Sequence, residues 1–485
     1  MKKLIYTSVL ALLTVFTLNA QTVLTLEECI DIALKNNIDI KRARNNAISA
    51  KAGLTQSKFN FLPSLNAGAS HSWNEGLQFD NTSGLLVNTT TLSGGGSVNA
   101  SLNIFNGFSN VLTLQQNRAL YEASEQSVRG NIQNTEASIV GAFLNVVSNR
   151  ESLKIAEQTK GLLQEQLSRE EKREAAGVGN MEQVYNFRSR IATQELTIVG
   201  FRNSLETAKL TLIQLLLLDP ADDYEFQGVT SNDAELEAEM DSYGSIYDRA
   251  MAFSPSIKSA ELNLAASKKG LKISQYAWMP QLSVFASYGS NWSSNLRDFQ
   301  LDDDGEVIFY QIDPDTRQFL RDGMGDLIVG TNRNGLPLDI GMTAISDQLE
   351  TNVSKFARFS LDIPLFTRFQ NRTNVQRSKI QVLNNELNLE QAKNTMTNSV
   401  QQAYLNLVNA KSTYAAAKES LVNLDTSYEF AKTRYESGTI DFVTYLQSLN
   451  GKNNGELELA RAKYQILFRK LIIDIFTGEL DMGNN

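Results

Sequence analysis

Residues 400–438 read VQQAYLNLVNAKSTYAAAKESLVNLDTSYEFAKTRYESG, and their pattern decides the fold class. Apolar residues recur at alternating steps of three and four: Val400, Ala403, Leu407, Ala410, Tyr414, Ala417, Leu421, Leu424, Tyr428, Ala431 and Tyr435. This spacing is typical of a coiled-coil seam. Steps of seven extend the seam back through Met396, Leu389, Val382 and Val375. We therefore predict one helix of about 70 residues, which is about 105 Å long at 1.5 Å per residue.

The chain contains a tandem duplication. Residues 33–65 align without a gap with 250–282, and residues 142–177 align with 403–438. The first half carries a matching seam from about 108 to 175. Four polar residues interrupt that seam: Asn149, Lys160, Glu170 and Glu174. The duplication predicts that the two halves share one fold.

Each half reads as helix, strand, loop, strand, very long helix, turn and helix. We place the first structural repeat at 21–240 and the second at 241–485. The offset between aligned residues grows from 217 (33 to 250) to 261 (142 to 403). The second repeat therefore holds about 44 extra residues, and we expect most of them in an enlarged loop at about 294–352.

The N-terminus has the pattern of a secretory signal. Two lysines precede an apolar run from Leu4 to Leu18, and Ala20 ends a small-residue cleavage site. We expect residues 1–20 to be a signal peptide and the protein to be exported. Cys29 lies too far along the chain to be a lipidated N-terminal residue, and we expect it to be an unpaired residue of the first helix.

The composition excludes several classes of function. Seven prolines in 485 residues suit long helices. One histidine and one cysteine argue against His- or Cys-ligated metal sites, Ser-His-Asp catalysis and disulfide frameworks, since each needs several such residues. A net charge of −9 argues against nucleic-acid binding. We expect no catalytic residue, cofactor or metal site.

Four segments alternate between apolar and polar residues, as half-buried strands do. They are 97–104, 281–292, 352–363 and, more weakly, 64–73. In the first of these, Val98, Ala100, Leu102 and Ile104 share one face. The strands have about the length of outer-membrane strands, and aromatic residues cluster at their ends. A soluble sandwich is the alternative.

Four strands cannot form a closed membrane barrel alone. Unpaired strand edges facing lipid cost several kcal/mol per group, and the smallest usual barrel has about eight strands. A chain of this kind must therefore oligomerise to span a membrane. Three copies supply twelve strands, and this arithmetic also leaves two or four copies open.

Several motifs, in order and in duplicate, resemble the outer-membrane efflux protein (TolC) family. They are TLEECIDIALKNN at 25–37, FLP at 61–63 with MP at 279–280, IPLF at 363–366 and RYESGT at 434–439. The resemblance covers the chain from about Leu24 to Leu480. It implies a mainly α protein with a membrane β-barrel: a homotrimer with a twelve-stranded barrel in the outer membrane of a Gram-negative bacterium, continued by a long α-helical coiled-coil barrel through the periplasm.

The resemblance also implies a function and partners. Such channel-tunnels belong to tripartite efflux or type I secretion systems, and export small molecules or polypeptides. They contact outer-membrane lipid and dock with a periplasmic adaptor, the membrane fusion protein, and with an inner-membrane transporter. The acidic segment at about 219–244 and residues 478–485 fit the equatorial belt of the family; a plain linker is the alternative for the first.

The two long helices end at glycines where the seams stop, as a residue free to adopt φ > 0 allows. The resemblance makes these turns the periplasmic tip and gate, with an ordinary helix cap as the alternative reading. The candidate gate residues are Arg173, Gly177, Arg434, Tyr435, Gly438, Thr439 and Asp441. Some family members carry pore acids six and nine positions after the second glycine. Here these are Thr444 and Gln447, with Asp441 or Glu182 as potential substitutes.

The sequence also bears on a calcium site in the loop and on functions other than export. The acids at 298–306 lack the final glutamate of an EF-hand, so we expect a solvated extracellular loop rather than a calcium site. A trimeric coiled-coil stalk or adhesin would keep the seam but would not need the strands. A secreted enzyme would need a convergent polar constellation, and the sequence shows none.

Overall fold

The computed structural model describes residues 22–80, 85–222, 224–228, 236–304, 306–315, 317–322, 324–331 and 335–479. The predicted signal peptide at 1–20 lies outside these residues. So do Gly305 in the acidic loop, residues 229–235 of the first predicted equatorial segment and residues 480–485 of the second.

Helices dominate the described residues. They are α1 (Leu26–Asn36), α2 (Ile38–Phe59), α3 (Ser109–Ala175), α4 (Met181–Leu216), α5 (Tyr243–Phe253), α6 (Pro255–Tyr276), α7 (Ile345–Thr351), α8 (Gln370–Glu436) and α9 (Phe442–Thr477). Helices α3 and α8 each have 67 residues, which confirms the predicted long helices. Among the helices described, none combines the length and the apolar character needed to cross a bilayer.

The strands are shorter and fall mostly between the helices of each half. They are β1 (Thr22–Leu24), β2 (Ser64–Asp80), β3 (Leu85–Asn106), β4 (Tyr224–Phe226), β5 (Gln281–Ser293), β6 (Arg297–Phe299), β7 (Phe309–Gln311), β8 (Val329–Gly330), β9 (Gly335–Pro337), β10 (Asp339–Met342) and β11 (Ser354–Asp362). Strands β1 and β4 pair in parallel.

The chain divides into two compact units. The first comprises the described parts of 1–54, 115–268 and 379–485, and the second comprises those of 55–114 and 269–378. The first unit is helical apart from β1 and β4, and the second contains the remaining strands.

The core of the first unit starts at α1. Thr25 caps this helix in a reciprocal capping box with Glu28, which satisfies two backbone N–H groups. Cys29 and Ile30 are fully buried and pack with Phe143 of α3 in one cluster. Burial raises the pKa of the Cys29 thiol to about 12. Cys29 is a free residue of the first helix, as predicted.

The seam of α8 packs inside the chain. Val400, Leu407 and Tyr414 lie in one buried cluster with residues of α5 and α9, including Ile246 and Ile466. Seam positions 428, 431 and 435 are buried again, whereas 417, 421 and 424 are half-buried. The alternation of three and four therefore marks the side of α8 that its own chain covers.

The second unit is built on a four-stranded antiparallel sheet in the order β11-β5-β3-β2. Its register places Ser70 opposite Gly95, and Ser97 opposite Gly289, on a polar face. Leu65 opposite Ala100 lies on the other, apolar face. The predicted two-faced strands are confirmed.

The strands differ from prediction at their ends. Strand β2 continues to Asp80 and β3 begins at Leu85, well beyond the predicted 64–73 and 97–104. A bulge between Asn103 and Phe105 leaves Ile104 without a partner in the ladder, so Ile104 does not continue the predicted alternation.

The segment 294–352 is folded rather than an irregular loop. Strands β6 to β10 form two small sheets, and α7 follows them. The Asp302 and Asp322 carboxylates each accept backbone N–H groups from two residues and four residues further on, which closes tight turns. These two aspartates therefore stabilise turns of the segment. Gln348 of α7 is fully buried and accepts the Ser293 N–H at 2.8 Å, which fastens the end of the segment to β5.

Candidate functional site

The turn after α3 is built around Gly177. This residue has φ +75°, its N–H donates to the Glu174 carbonyl at 2.8 Å, and the Val178 N–H donates to the Arg173 carbonyl at 3.0 Å. These are the two bonds of a Schellman motif. Asn180 then starts α4, and its side chain accepts the Glu182 N–H at 2.9 Å.

The turn after α8 repeats this geometry. Gly438 has φ +72°, its N–H donates to the Tyr435 carbonyl at 2.9 Å, and the Thr439 N–H donates to the Arg434 carbonyl at 2.8 Å. Asp441 caps α9 by accepting the Thr444 N–H at 2.7 Å. That backbone hydrogen bond lowers the pKa of Asp441. The two turns, with the residues packed beneath them, are here called the helical tip.

Aromatic rings fill the helical tip. Phe187 of α4 and Phe442 of α9 meet edge to face, with ring centroids 4.4 Å apart. Tyr435 of α8 stacks on Tyr445 of α9 at 4.9 Å with an interplanar angle of 13°. These rings belong to one buried cluster with Leu163 of α3. Helices from both repeats therefore share a single core at the tip.

A buried acid lies at the edge of this core. The Glu170 side chain of α3 is only 3% exposed, and its Oε1 accepts the Tyr435 hydroxyl at 2.9 Å. The same hydroxyl lies 3.2 Å from the amide oxygen of Gln183 on α4. Arg173 Nη1 approaches Glu170 Oε1 at 3.5 Å, with its side chain 45% exposed. Burial and the hydrogen bond to Glu170 raise the pKa of Tyr435, so its hydroxyl remains a donor at neutral pH.

Two exposed ion pairs accompany this contact. Arg169 Nη1 lies 3.0 Å from Glu436 Oε1, and Arg188 Nη2 lies 2.9 Å from Glu171 Oε1. All four side chains are about half exposed. Pairs of this kind contribute about 0–1 kcal/mol, whereas hydrogen bonds to a charged group contribute about 1.5–3 kcal/mol. The bond from Tyr435 to Glu170 is therefore the strongest polar link between the two repeats described at the tip.

The structure separates the predicted site residues into two groups. Tyr435 is buried and makes the central contact, with Arg173 beside it. The remaining side chains are exposed at the turns or in the first two turns of α4 and α9: Arg434, Thr439, Asp441, Glu182, Thr444 and Gln447. The Thr439 hydroxyl donates to the Arg434 carbonyl at 2.9 Å, so it reinforces the turn.

Sequence reasoning missed Glu170 and Gln183. Glu170 occupies the seam position equivalent to Ala431, which is buried in α8. The available signal is an acid at a seam position near the end of a helix, which by itself indicates only an interruption of the seam. Gln183 gives no such signal, because it lies in an ordinary polar first turn of α4.

Comparison with known proteins places the chain in a family. The model of the outer membrane efflux protein family matches residues 29–216 and 326–471, more than half of the chain. The chain is 22% identical to CyaE of Bordetella pertussis over 94% of this chain and 84% of that protein. It is 21% identical to the outer membrane protein TolC of Escherichia coli over 92% of this chain and 80% of that protein.

A solved structure agrees on the fold. The channel protein CusC superposes with a TM-score of 0.72 and 18% identity, covering 93% of this chain and 91% of that one. The chain therefore belongs to the outer membrane efflux protein family, and it is an outer-membrane channel for efflux or secretion rather than an enzyme.

Proposed function

We propose that three copies of this chain form a channel-tunnel that is closed at the helical tip by the contact between Tyr435 and Glu170. The observation that carries the proposal is this buried hydrogen bond, which joins α8 of the second repeat to α3 of the first. Opening a ring of helices at the tip requires the two helix pairs to separate. A few polar contacts over a small aromatic core hold such pairs together while allowing release.

The trimer is supported by the sheet of the second unit. In the described sheet, β2 and β11 each pair on one side only. Large apolar side chains on the apolar face remain exposed, including Leu65, Trp73 and Phe359, which are 66–72% exposed. Joining β2 of one copy to β11 of the next would pair both edges, and three copies would give a closed sheet of twelve strands.

The proposed layout follows the two repeats, 21–240 and 241–485. The tip turns face the periplasm, segments at about 219–244 and 478–485 form an equatorial belt, and 294–352 is extracellular. In this layout the tip is also where a periplasmic adaptor docks, with an inner-membrane transporter beyond it. A relative with 19% identity is named toxin and drug export protein A, which supports polypeptides or small molecules as cargo.

The test is made on the full-length protein. Native mass spectrometry in detergent should give three chains per particle. In planar bilayers, the double variant Arg434→Ala/Tyr435→Ala should conduct more than the wild type at equal trimer yield. A folded monomer would refute the trimer, and unchanged conductance in an assembled variant would refute the gate.

A further inference from the structure

The polar face of the sheet contains two aromatic residues that break its alternation. Phe285 of β5 and Phe356 of β11 both point to the face that otherwise carries Ser, Asn, Gly and Thr. Their ring centroids lie 5.7 Å apart with an interplanar angle of 36°. Phe356 remains 44% exposed, so this pair is not buried in a core.

A cation lies beside the two rings. Arg358 is directly opposite Phe285 in the ladder and two residues after Phe356 on the same face. Its guanidinium carbon lies 5.7 Å from the centroid of the Phe356 ring, within the range of a cation–π contact. Among the described residues, no carboxylate forms a salt bridge with Arg358, and its side chain is exposed.

The surrounding face leaves this cation electrostatically uncompensated. Along β5 and β11, Asp362 is the one acid on the polar face, and it lies four residues from Arg358 at the end of β11. Ser287, which is opposite Phe356, and Ser354, which is two residues before it, line one end of a trough of about 480 Å³. The two rings and the planar cation therefore lie next to this trough rather than in its wall.

We propose that Phe285, Phe356 and Arg358 form a binding site for aromatic anions, such as aryl carboxylates, on the polar face of the sheet. The rings stack with a planar hydrocarbon, and the guanidinium fork matches a carboxylate. The proposal rests on the proposed function only in taking this face as the water-filled wall of the channel. The site selects cargo that is both aromatic and anionic.

Isothermal titration of the full-length protein in lipid nanodiscs tests the site, with empty nanodiscs as the blank. Wild-type protein should bind 2-naphthoate at least about tenfold more tightly than cyclohexanecarboxylate, which lacks the ring, or 2-naphthylmethylammonium, which has the opposite charge. These comparisons need no variant. Equal binding of the three probes, or no binding of 2-naphthoate, would overturn the proposal.

Matched variants locate the site on one face. Arg358→Gln should weaken 2-naphthoate binding about tenfold or more, and Phe285→Leu/Phe356→Leu should remove the preference for the ring. Lys355 is the control, because it lies on the opposite face of β11 with its ammonium 5.3 Å from the Tyr288 ring. Lys355→Gln should bind as the wild type does. An equal loss in Lys355→Gln, or no loss in Arg358→Gln, would contradict the assignment.

Bilayer conductance of the same wild-type preparation separates this proposal from the proposed function. A conducting channel without discrimination among the probes refutes the site alone. No openings in either the wild type or the assembled Arg434→Ala/Tyr435→Ala variant would refute the proposed channel-tunnel, whatever the titrations give.

Discussion

Replacing Tyr435 by Phe removes one hydroxyl from the helical tip and keeps the ring that stacks on Tyr445. The lost bond runs 2.9 Å to Glu170, a carboxylate that is 3% exposed. A hydrogen bond to a charged acceptor contributes about 1.5–3 kcal/mol. If the bond exists only in the closed form, its loss shifts the ratio of open to closed about 10- to 150-fold for each chain, and by more for a trimer whose three tips open together.

The shift is large enough to measure in single channels. A channel that is open for about 1% of the time would be open for at least about 10–60% of the time, which is the effect of losing one bond. The assay is the open probability of single Tyr435→Phe channels in planar bilayers at pH 7. Native mass spectrometry establishes that the variant is assembled as the wild type is.

Two matched variants make the result specific to the hydroxyl of Tyr435. Tyr428 is another buried tyrosine of the same cluster, and its ring lies 6.1 Å from Tyr445 of the same helix pair. Tyr428→Phe should leave the open probability unchanged. Arg434→Ala should also behave as the wild type, because the Arg434 side chain is exposed. A wild-type open probability in assembled Tyr435→Phe, or an equal rise in Tyr428→Phe, would refute this account of the gate.

Four other outcomes can be checked. Gly438→Ala places a side chain on a residue with φ +72° and should lower the free energy of unfolding by roughly 1–2 kcal/mol. Gly161→Ala lies inside α3 with open space around it and should raise the free energy of unfolding by up to about 1 kcal/mol. Urea unfolding measures both changes. Asp441→Ala should lower the melting temperature at pH 7, because the helix cap is lost. The pKa of Asp441 is lowered in the folded protein, so its contribution to stability is present above the ordinary pKa of about 4 and is lost as pH falls through the lowered pKa. The difference in melting temperature between wild type and variant should therefore shrink in acid. The pKa of Tyr435 is raised instead, so its contribution to stability should be lost as pH rises above about 10. Circular dichroism during alkaline titration should show this loss of stability for the wild type but not for Tyr435→Phe. An epitope inserted next to Asp303, in a turn of the segment after β6, should leave assembly intact and be labelled on intact cells; labelling only after permeabilisation would invert the proposed topology.

The long helices were predictable because their signal is repeated many times along the chain. Each step of three or four from Val400 to Tyr435 places another apolar residue on the same side of α8. The pattern therefore remains clear although single residues such as Leu424 are only half-buried. The sheet faces were predictable for the same reason. The ends of β2 and β3 were not, because the residues added there are rich in Gly, Thr and Asn, and pairing across the sheet rather than alternation orders them.

The folded segment at 294–352 escaped prediction for a different reason. Its strands have two to four residues, too few for any periodicity, and hydrogen bonds of single aspartates such as Asp302 shape its turns. The site was predictable only in part. Tyr435 follows from the seam, but the burial of Glu170 depends on a residue 265 positions away in the chain.

The duplication explains why the tip has this contact once in each chain. Its two turns share the same pair of backbone hydrogen bonds, so the residues before them can be compared position by position at the offset of 261. Glu170 corresponds to Ala431, and Tyr435 corresponds to Glu174. The symmetric partner of the Tyr435–Glu170 bond would join Glu174 to Ala431, and these side chains offer no donor for the acid.

The divergence of these two equivalent pairs therefore leaves a single buried polar link, between Tyr435 and Glu170, in an otherwise symmetric helical frame. In a symmetric frame, the contact of α8 with the first helix pair would match the contact of α3 with the second pair. Separating either helix from the opposite pair would then break the same number of contacts. Separation of α8 from α3 breaks this buried bond and the exposed ion pair of Arg169 and Glu436, while the rings shared by α8 and α9 stay together. The second helix pair then moves as one body, which is why we expect the hydroxyl of Tyr435, rather than its ring, to set the resting state of the channel.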